Sequence, residues 1–207
     1  MKQIMRVRGM FSKNEKYLNY FYIIIFLVLS CNVESNTNIK IKILDHLNTL
    51  QYFSASFIQN DGNNLSEGKV YVGEKRVRAE YFYPSKILII LAEDKAMYYN
   101  YELEEDEFFN PKNTNAWFFY DIFRNPYFFE KGEIKIKKNE IIIEKSGVDN
   151  DERKYLIKVY FENNPMILRK IEVFINEDFL QISIFDHNYN ENFDKNFFKL
   201  INPSLLN

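Results

Sequence analysis

The chain has 207 residues, 46% of them hydrophobic and 27% charged, with 27 basic against 29 acidic side chains and a formal net charge of −2. That balance supplies no basic surface for phosphate contacts and argues against a nucleic-acid ligand. With one cysteine, Cys31, and two histidines, His46 and His187, it holds no disulfide framework, CxxC redox site or cysteine metal cluster.

The first element in chain order is a targeting segment. Lys2, Arg6, Arg8, Lys13 and Lys16 form a basic head, and Tyr17 to Ser30 is uncharged, densest in apolar residues from Ile23 to Leu29. This is the layout of a secretory signal peptide. The uncharged run reaches only Val33 and contains Asn19, short of the ~20 apolar residues of a comfortable bilayer span. Two endings fit. Val28-Leu29-Ser30-Cys31 has the form of a lipobox, which would acylate Cys31 and anchor the protein to a membrane; Val33-Glu34-Ser35 fits an ordinary cut that discards Cys31. Residues 1–31 are assigned to the signal and 32–207 to a single domain. Removing the five basic and one acidic residues of 1–31 leaves 22 basic and 28 acidic, a net of −6.

Ile39 to Gln51 reads as a helix, with Ile39, Ile43, Leu47 and Leu50 on one stripe and Thr37 or Asn38 available as a cap. Phe53 to Gln59 then alternates as a half-buried strand, Asp61-Gly62-Asn63-Asn64 turns, and Gly68 to Val72 returns. In Val77 to Tyr83, residues Val77, Ala79, Tyr81 and Tyr83 share one face, with Arg78, Glu80 and Phe82 on the other. Ile87 to Leu91 is apolar on both parities, so both its faces should be covered, and Ala96 to Tyr101 completes a meander. Glu102 to Glu107 concentrates acidic charge, as a solvated strand and loop or a docking surface for a basic partner.

Asn113 to Asn125 is a second helix, ended by Pro126, with Ala116, Tyr120 and Phe123 on one face and Trp117, Phe118 and Ile122 on another. A short helix apolar on more than one face must be covered on several sides or cover something itself. Strands follow at Glu133–Lys137, Glu140–Lys145, Lys154–Phe161, Leu168–Ile175 and Leu180–Phe185, with a final one at Phe197–Ile201. The pattern predicts one mainly β domain: an unclosed, strongly curved antiparallel β-barrel with helices packed in its concavity as plug or lid.

Several segments also match a family pattern in order and spacing. They are Phe53-x-Ala55-x-Phe57-x-Gln59, Gly68 ahead of its strand, Arg76-Val77-Arg78-x-Glu80-Tyr81 and Pro84. Asn100-Tyr101-Glu102-Leu103 stands where the family has Asp-Pro-x-Leu, and Asn192-Phe193-Asp194-x-x-x-Phe198-x-Leu200-x-x-Pro203 is similar to its closing strand. On these residues the chain resembles the outer-membrane lipoprotein carrier (LolA) family over roughly residues 39 to 205. The resemblance implies a monomeric, cofactor-free periplasmic carrier. Its partners would be acylated lipoproteins, an inner-membrane ATP-binding-cassette release complex that loads it, and an outer-membrane receptor that unloads it. It also implies a lid over the lipid cavity, here Trp117, Phe118, Ile122 and Phe123. The family's latching arginine is replaced by Gly73, which leaves Arg76 as the latch candidate.

Enzymatic motifs are missing. Neither histidine sits in metal spacing, and the sequence has no GxSxG elbow, Gly-rich phosphate loop or EF-hand loop. A binding role without catalysis or metal is therefore expected. The residues expected to line a lipid cavity are Phe57, Val77, Ala79, Tyr81 and Tyr83, continued by Leu88, Ile90, Met97 and Tyr99. A receptor of the same fold anchored through Cys31, or a lipidated interaction protein with a filled core, are the alternatives.

Overall fold

The computed structural model describes residues 36–205 apart from 74, 126 and 150, so the signal segment and Cys31 lie outside the described residues. The chain divides after Asn38 into two units. The described part of the first is only the opening of helix α1 (Asn36–Thr49), and everything below belongs to the second. Thr37 and Asn38 lie inside α1 rather than capping it, and the helix tightens into a 3-10 turn at Leu50–Tyr52. Its predicted stripe holds: Ile39, Ile43, Leu47 and Leu50 are all buried.

Among the described residues eleven strands form one antiparallel sheet. They are β1 (Phe53–Asn60), β2 (Leu65–Gly73), β3 (Arg76–Tyr83), β4 (Ile87–Leu91), β5 (Ala96–Asn100), β6 (Glu105–Phe109), β7 (Glu133–Lys137), β8 (Glu140–Val148), β9 (Lys154–Asn163), β10 (Met166–Ile175) and β11 (Asp178–Tyr189). The order is β6-β5-β4-β3-β2-β1-β11-β10-β9-β8-β7, a meander out to β6 and a second meander back from β7, joined where β1 pairs with β11. The barrel is therefore unclosed, with β6 and β7 as its free edges. The link between those edges carries helix α2 (Ala116–Arg124), preceded by a 3-10 turn at Pro111–Asn113.

Register assigns the faces, because directly opposed residues of antiparallel strands point the same way. Val72, Val77 and Leu91 lie side by side, as do Val70, Ala79 and Ile89. On the other half, Ile143, Val159 and Ile171 align, as do Ile157 and Val173. A bulge between Leu168 and Lys170 keeps Leu168 and Ile171 on this same inner face. Together with α1 and α2 these residues make the main core. Gly68 is required within it. A Cβ there would stand 2.3 Å from the Glu80 carbonyl oxygen and 2.6 Å from the Phe57 ring, so only glycine lets Phe57 lie across β2.

Over β2 to β5 the back of the sheet is covered by the C-terminal strap, residues 191–205, and here the expected final strand is corrected. Phe197–Ile201 is turn and irregular backbone, because its residues cross the outer face of β2 to β5 instead of pairing at an edge. The Phe197 ring stands edge-on to Tyr71 with centroids 4.9 Å apart, and the Arg78 guanidinium sits 4.3 Å over it. Arg78 Nη1 donates to the Phe197 carbonyl at 2.6 Å, Arg76 donates to the Phe198 carbonyl, and Asn202 Nδ2 donates to Asp106 Oδ1 at 2.6 Å. Leu200 packs on Leu88, Ile90, Met97 and Tyr99. Both faces of β4 are covered, as its unbroken apolar run required.

Phe198 is the strap's deepest anchor, 1% exposed, and its ring lies where a side chain at Gly73 would stand. Phe198→Ala should lower unfolding stability by about 3–5 kcal/mol, as large-to-small changes at buried aromatics do, read from denaturant melts. Gly68→Ala should cost about 1–3 kcal/mol by overpacking against Phe57.

Candidate functional site

The connection from β6 to β7 has to cross the open side of the barrel, and the helix it carries is almost wholly apolar. Phe118, Ile122 and Phe123 enter the core, with Phe118 fully buried. Trp117 packs partly buried beside them, 3.8 Å from Phe118 by ring centroids. α2 spans nine residues instead of the thirteen of Asn113–Asn125, because Pro111 starts a separate turn whose Asn110 side chain accepts from Lys112 N. The Thr114 hydroxyl accepts from Ala116 N at 3.2 Å, and Asn125 N closes the far end on the Asp121 carbonyl. Phe128 and Phe129, in the turn after the helix, are buried as well. Periodicity overlooked them because they belong to no regular element; their adjacency to the apolar helix was the available signal.

Among the described residues α2 makes no backbone hydrogen bond to the sheet. Its polar tethers are side-chain contacts. The Tyr120 hydroxyl donates to the Lys75 carbonyl at 3.3 Å, and Arg153 Nη1 donates to Asn115 Oδ1 at 3.2 Å while gripping Asp149 at 2.8 Å. Arg76, the latch candidate, is corrected: it reaches the strap on the opposite face of the sheet and not α2. What holds α2 is hydrophobic packing.

The predicted lining set divides between the two faces. Phe57, Val77, Ala79 and Tyr81 lie on the inner face beneath the helices. The Phe57 and Tyr81 rings meet edge-on at 5.1 Å, and the Tyr81 hydroxyl donates to Gln59 Oε1 at 2.9 Å. Burial pushes the Tyr81 phenol up to about 12, so it stays a neutral donor. Tyr83 shares their parity but is 56% exposed, beyond the reach of the core. Leu88, Ile90, Met97 and Tyr99 are corrected to the back face. Each stands opposite Arg78 or Glu80, or opposite a residue that does, and the strap seals them.

The two larger clefts beside α2 differ in character. One, of about 540 Å³, lies between the helix and the β4–β5 and β8–β9 turns, and Trp117, Tyr120, Asp121, Arg124 and Tyr155 line it. The other, of about 480 Å³, lies toward the β1–β2 and β10–β11 turns; Phe119, Val173, Ile175 and Leu180 form its apolar part. Directly under the helix, Phe118, Ile122 and Phe123 pack in one buried cluster with the inner-face side chains. Asp121 and Arg124 were not singled out in the sequence; two charges in the otherwise apolar run Ala116–Arg124 were the signal.

The tertiary fold also brings the two histidines together. His46 of α1 packs edge-on to Phe161, 6.0 Å between centroids, and lies 6.4 Å from Tyr189. His187 stacks on Tyr189 at 6.2 Å and its Nε2 lies 2.6 Å from the Leu168 carbonyl. His46 Nε2 is buried without a partner. Burial, and then the charge of His187, holds His46 below its usual value; burial, then Arg169 nearby, does the same to His187, against the opposing pull of Leu168 and Asp186.

No family model matches this sequence, and no curated protein matches it either. Solved structures do resemble the fold. An uncharacterized conserved protein from Thermus thermophilus superposes with a TM-score of 0.52 at 6% identity, over 82% of this chain and 96% of that one. MucB, in its complex with MucA from Pseudomonas aeruginosa, aligns with a TM-score of 0.45 at 8% identity, over 80% of this chain and 61% of MucB. MucB alone gives 0.45 at 7% identity. Among the described residues no helix is long and apolar enough to cross a membrane.

The histidine pair fixes a pH response. Both folded-state values lie below the ordinary 6.5, so below that pH the unfolded chain binds more protons than the folded one. The pair's contribution to unfolding stability should be full above about 6.5, fall as pH drops through the interval down to the lowered values, and level off beneath them. His46→Leu should flatten that fall in denaturant melts taken across the interval.

Proposed function

We propose that this protein is a periplasmic, non-catalytic carrier that shelters the acyl chains of lipoproteins on the inner face of its unclosed barrel. Loading from an inner-membrane ATP-binding-cassette release complex and delivery to an outer-membrane receptor complete the proposal, as the family resemblance implies. One observation carries it. An apolar helix spans the open side of the barrel and is held by packing and side-chain tethers, without a backbone bond to the sheet among the described residues. Such an element can withdraw at modest cost, since local opening needs far less than global unfolding. What it uncovers is Val70, Val77, Ala79, Ile143, Val159 and their neighbours, a continuous apolar wall. An acyl chain laid there regains ~0.8 kcal/mol per buried methylene, replacing the contacts of Phe118, Ile122 and Phe123.

A filled interior suits a carrier at rest, because an open apolar cavity in water would be a site of aggregation. Release to an acceptor follows from the same balance: when the chain leaves, α2 refills the space.

The test is extraction. Membrane vesicles bearing a newly acylated lipoprotein are incubated with the mature protein, and the soluble fraction is assayed for cargo. The expected outcome is a soluble complex of one carrier with one lipoprotein, and a photoreactive residue at Phe118 should crosslink to the acyl chain while one at Phe108, on the exposed edge, should not. Cargo that stays wholly in the vesicles would overturn the reading. Acylation at Cys31, read by mass spectrometry of the mature amino terminus, would favour the anchored receptor of the same fold.

A further inference from the structure

We propose that the cleft of about 540 Å³ beside α2 binds a small zwitterionic head, an ammonium against Asp121 and the aromatic walls and a phosphodiester against Arg124 and Lys112. The volume falls within the range of small-molecule sites. Trp117 and Tyr155 form two walls at 87°, with centroids 5.9 Å apart, and Tyr120 lines the cleft beside them. Aromatic rings that line one cleft with a carboxylate are surroundings an alkylammonium prefers, since it is weakly hydrated and attracted to π density.

The charges point the same way. Asp121 and Arg124 lie one helical turn apart, yet among the described residues neither joins an ion pair, and Arg124 Nε is buried without a partner. The other charges of the cleft are engaged: Asp149 and Asp151 by Arg153 at 2.8 and 3.5 Å, and Glu93 by Lys112 at 3.8 Å. Lys145, which faces Asp121 from β8, holds its ammonium 3.7 Å over the Phe128 ring. Burial raises Asp121 against the hydrogen bond with Asn125 and the nearby Lys145 and Lys112, and burial lowers Arg124, whose charged form lacks solvation that an anionic group would supply. A cleft that holds a buried, unpartnered guanidinium nitrogen one helical turn from a carboxylate matches a ligand carrying both charges. The Lys112–Glu93 pair is long and exposed, so Lys112 can turn to the ligand's anion at little cost. This site stands independently of the acyl-chain proposal, which concerns the face on the other side of α2.

Trp117 is the chain's one tryptophan, so its fluorescence reports this cleft directly. The mature protein is titrated with sn-glycero-3-phosphocholine, choline and glycerol 3-phosphate, each to ~10 mM, a range that reaches weak millimolar binding. The zwitterion should give a saturable change with half-saturation about tenfold below that of either half-ligand, and Asp121→Asn and Arg124→Gln should each weaken it about tenfold. Lys112→Gln, at an exposed position, should weaken the zwitterion but not choline, which keeps the test valid if a buried variant fails to fold. Dihexanoylphosphatidylcholine identifies the source: tighter binding than the glycerol head assigns the site to a lipid, equal binding to a soluble metabolite. No saturable change, or an unchanged response in Asp121→Asn and Lys112→Gln, would overturn the proposal.

Discussion

The inner face of the sheet carries an apolar side chain at nearly every second position, and it must be kept from water. A closed barrel would solve this by surrounding that face completely; this one leaves β6 and β7 unpaired with each other. The chain that connects the two edges has to pass over the gap, so the cheapest cover is to make that connection itself apolar. α2 is that cover, and α1 with its stripe of Ile39, Ile43, Leu47 and Leu50 supplies the rest. The position of the helix follows from strand order before any ligand is considered.

The outer face is handled by different means. From β2 to β5 it is apolar enough to need the strap, with Phe197, Phe198 and Leu200 as its contacts and Arg76 and Arg78 binding its carbonyls. Over β8 to β10 it carries charge instead: Lys170 meets Glu172 at 2.7 Å and stands 3.9 Å over Tyr160, whose hydroxyl donates to Glu172 at 2.6 Å. Partly exposed pairs of this kind add little stability. One half of the sheet thus depends on the C-terminal residues and the other does not. Glycine at position 73 makes room for the Phe198 ring, and Arg76, the arginine nearest it, serves the strap.

Cover by packing rather than by hydrogen bonding gives the two helices their character. Strands are fixed to one another by ladders of backbone bonds. α2 rests on dispersion and burial, forces without direction, which another apolar group can satisfy equally well. That equivalence underlies the carrier proposal. The same helix places Asp121 and Arg124 on its cleft side, so its two sides offer different chemistry: apolar inward, two charges of opposite sign outward.

Among the described residues, ten of the eleven strands, both helices and the unclosed antiparallel class were legible in the residues themselves, because period-2 alternation, a 3.6-residue stripe and turn residues are local properties. Edge strand β6 was readable only as an acidic strand or loop, its side chains being almost all solvated. Face assignment within a single strand was also local, which is why Val77, Ala79 and Tyr81 fall together. Matching a face across strands is not local. Leu88 and Ile90 lie beneath the strap and not the helices because β4 pairs in a register that sets Val77 against Leu91, and a shift of one residue would have reversed them. Nor could spacing show that Phe197–Ile201 would cross the sheet instead of joining it, since an alternating segment satisfies either arrangement. The meeting of His46 with His187, and the cleft that joins Asp121 and Arg124 to Tyr155, required the strand order itself, which brings together residues that no sequence window spans.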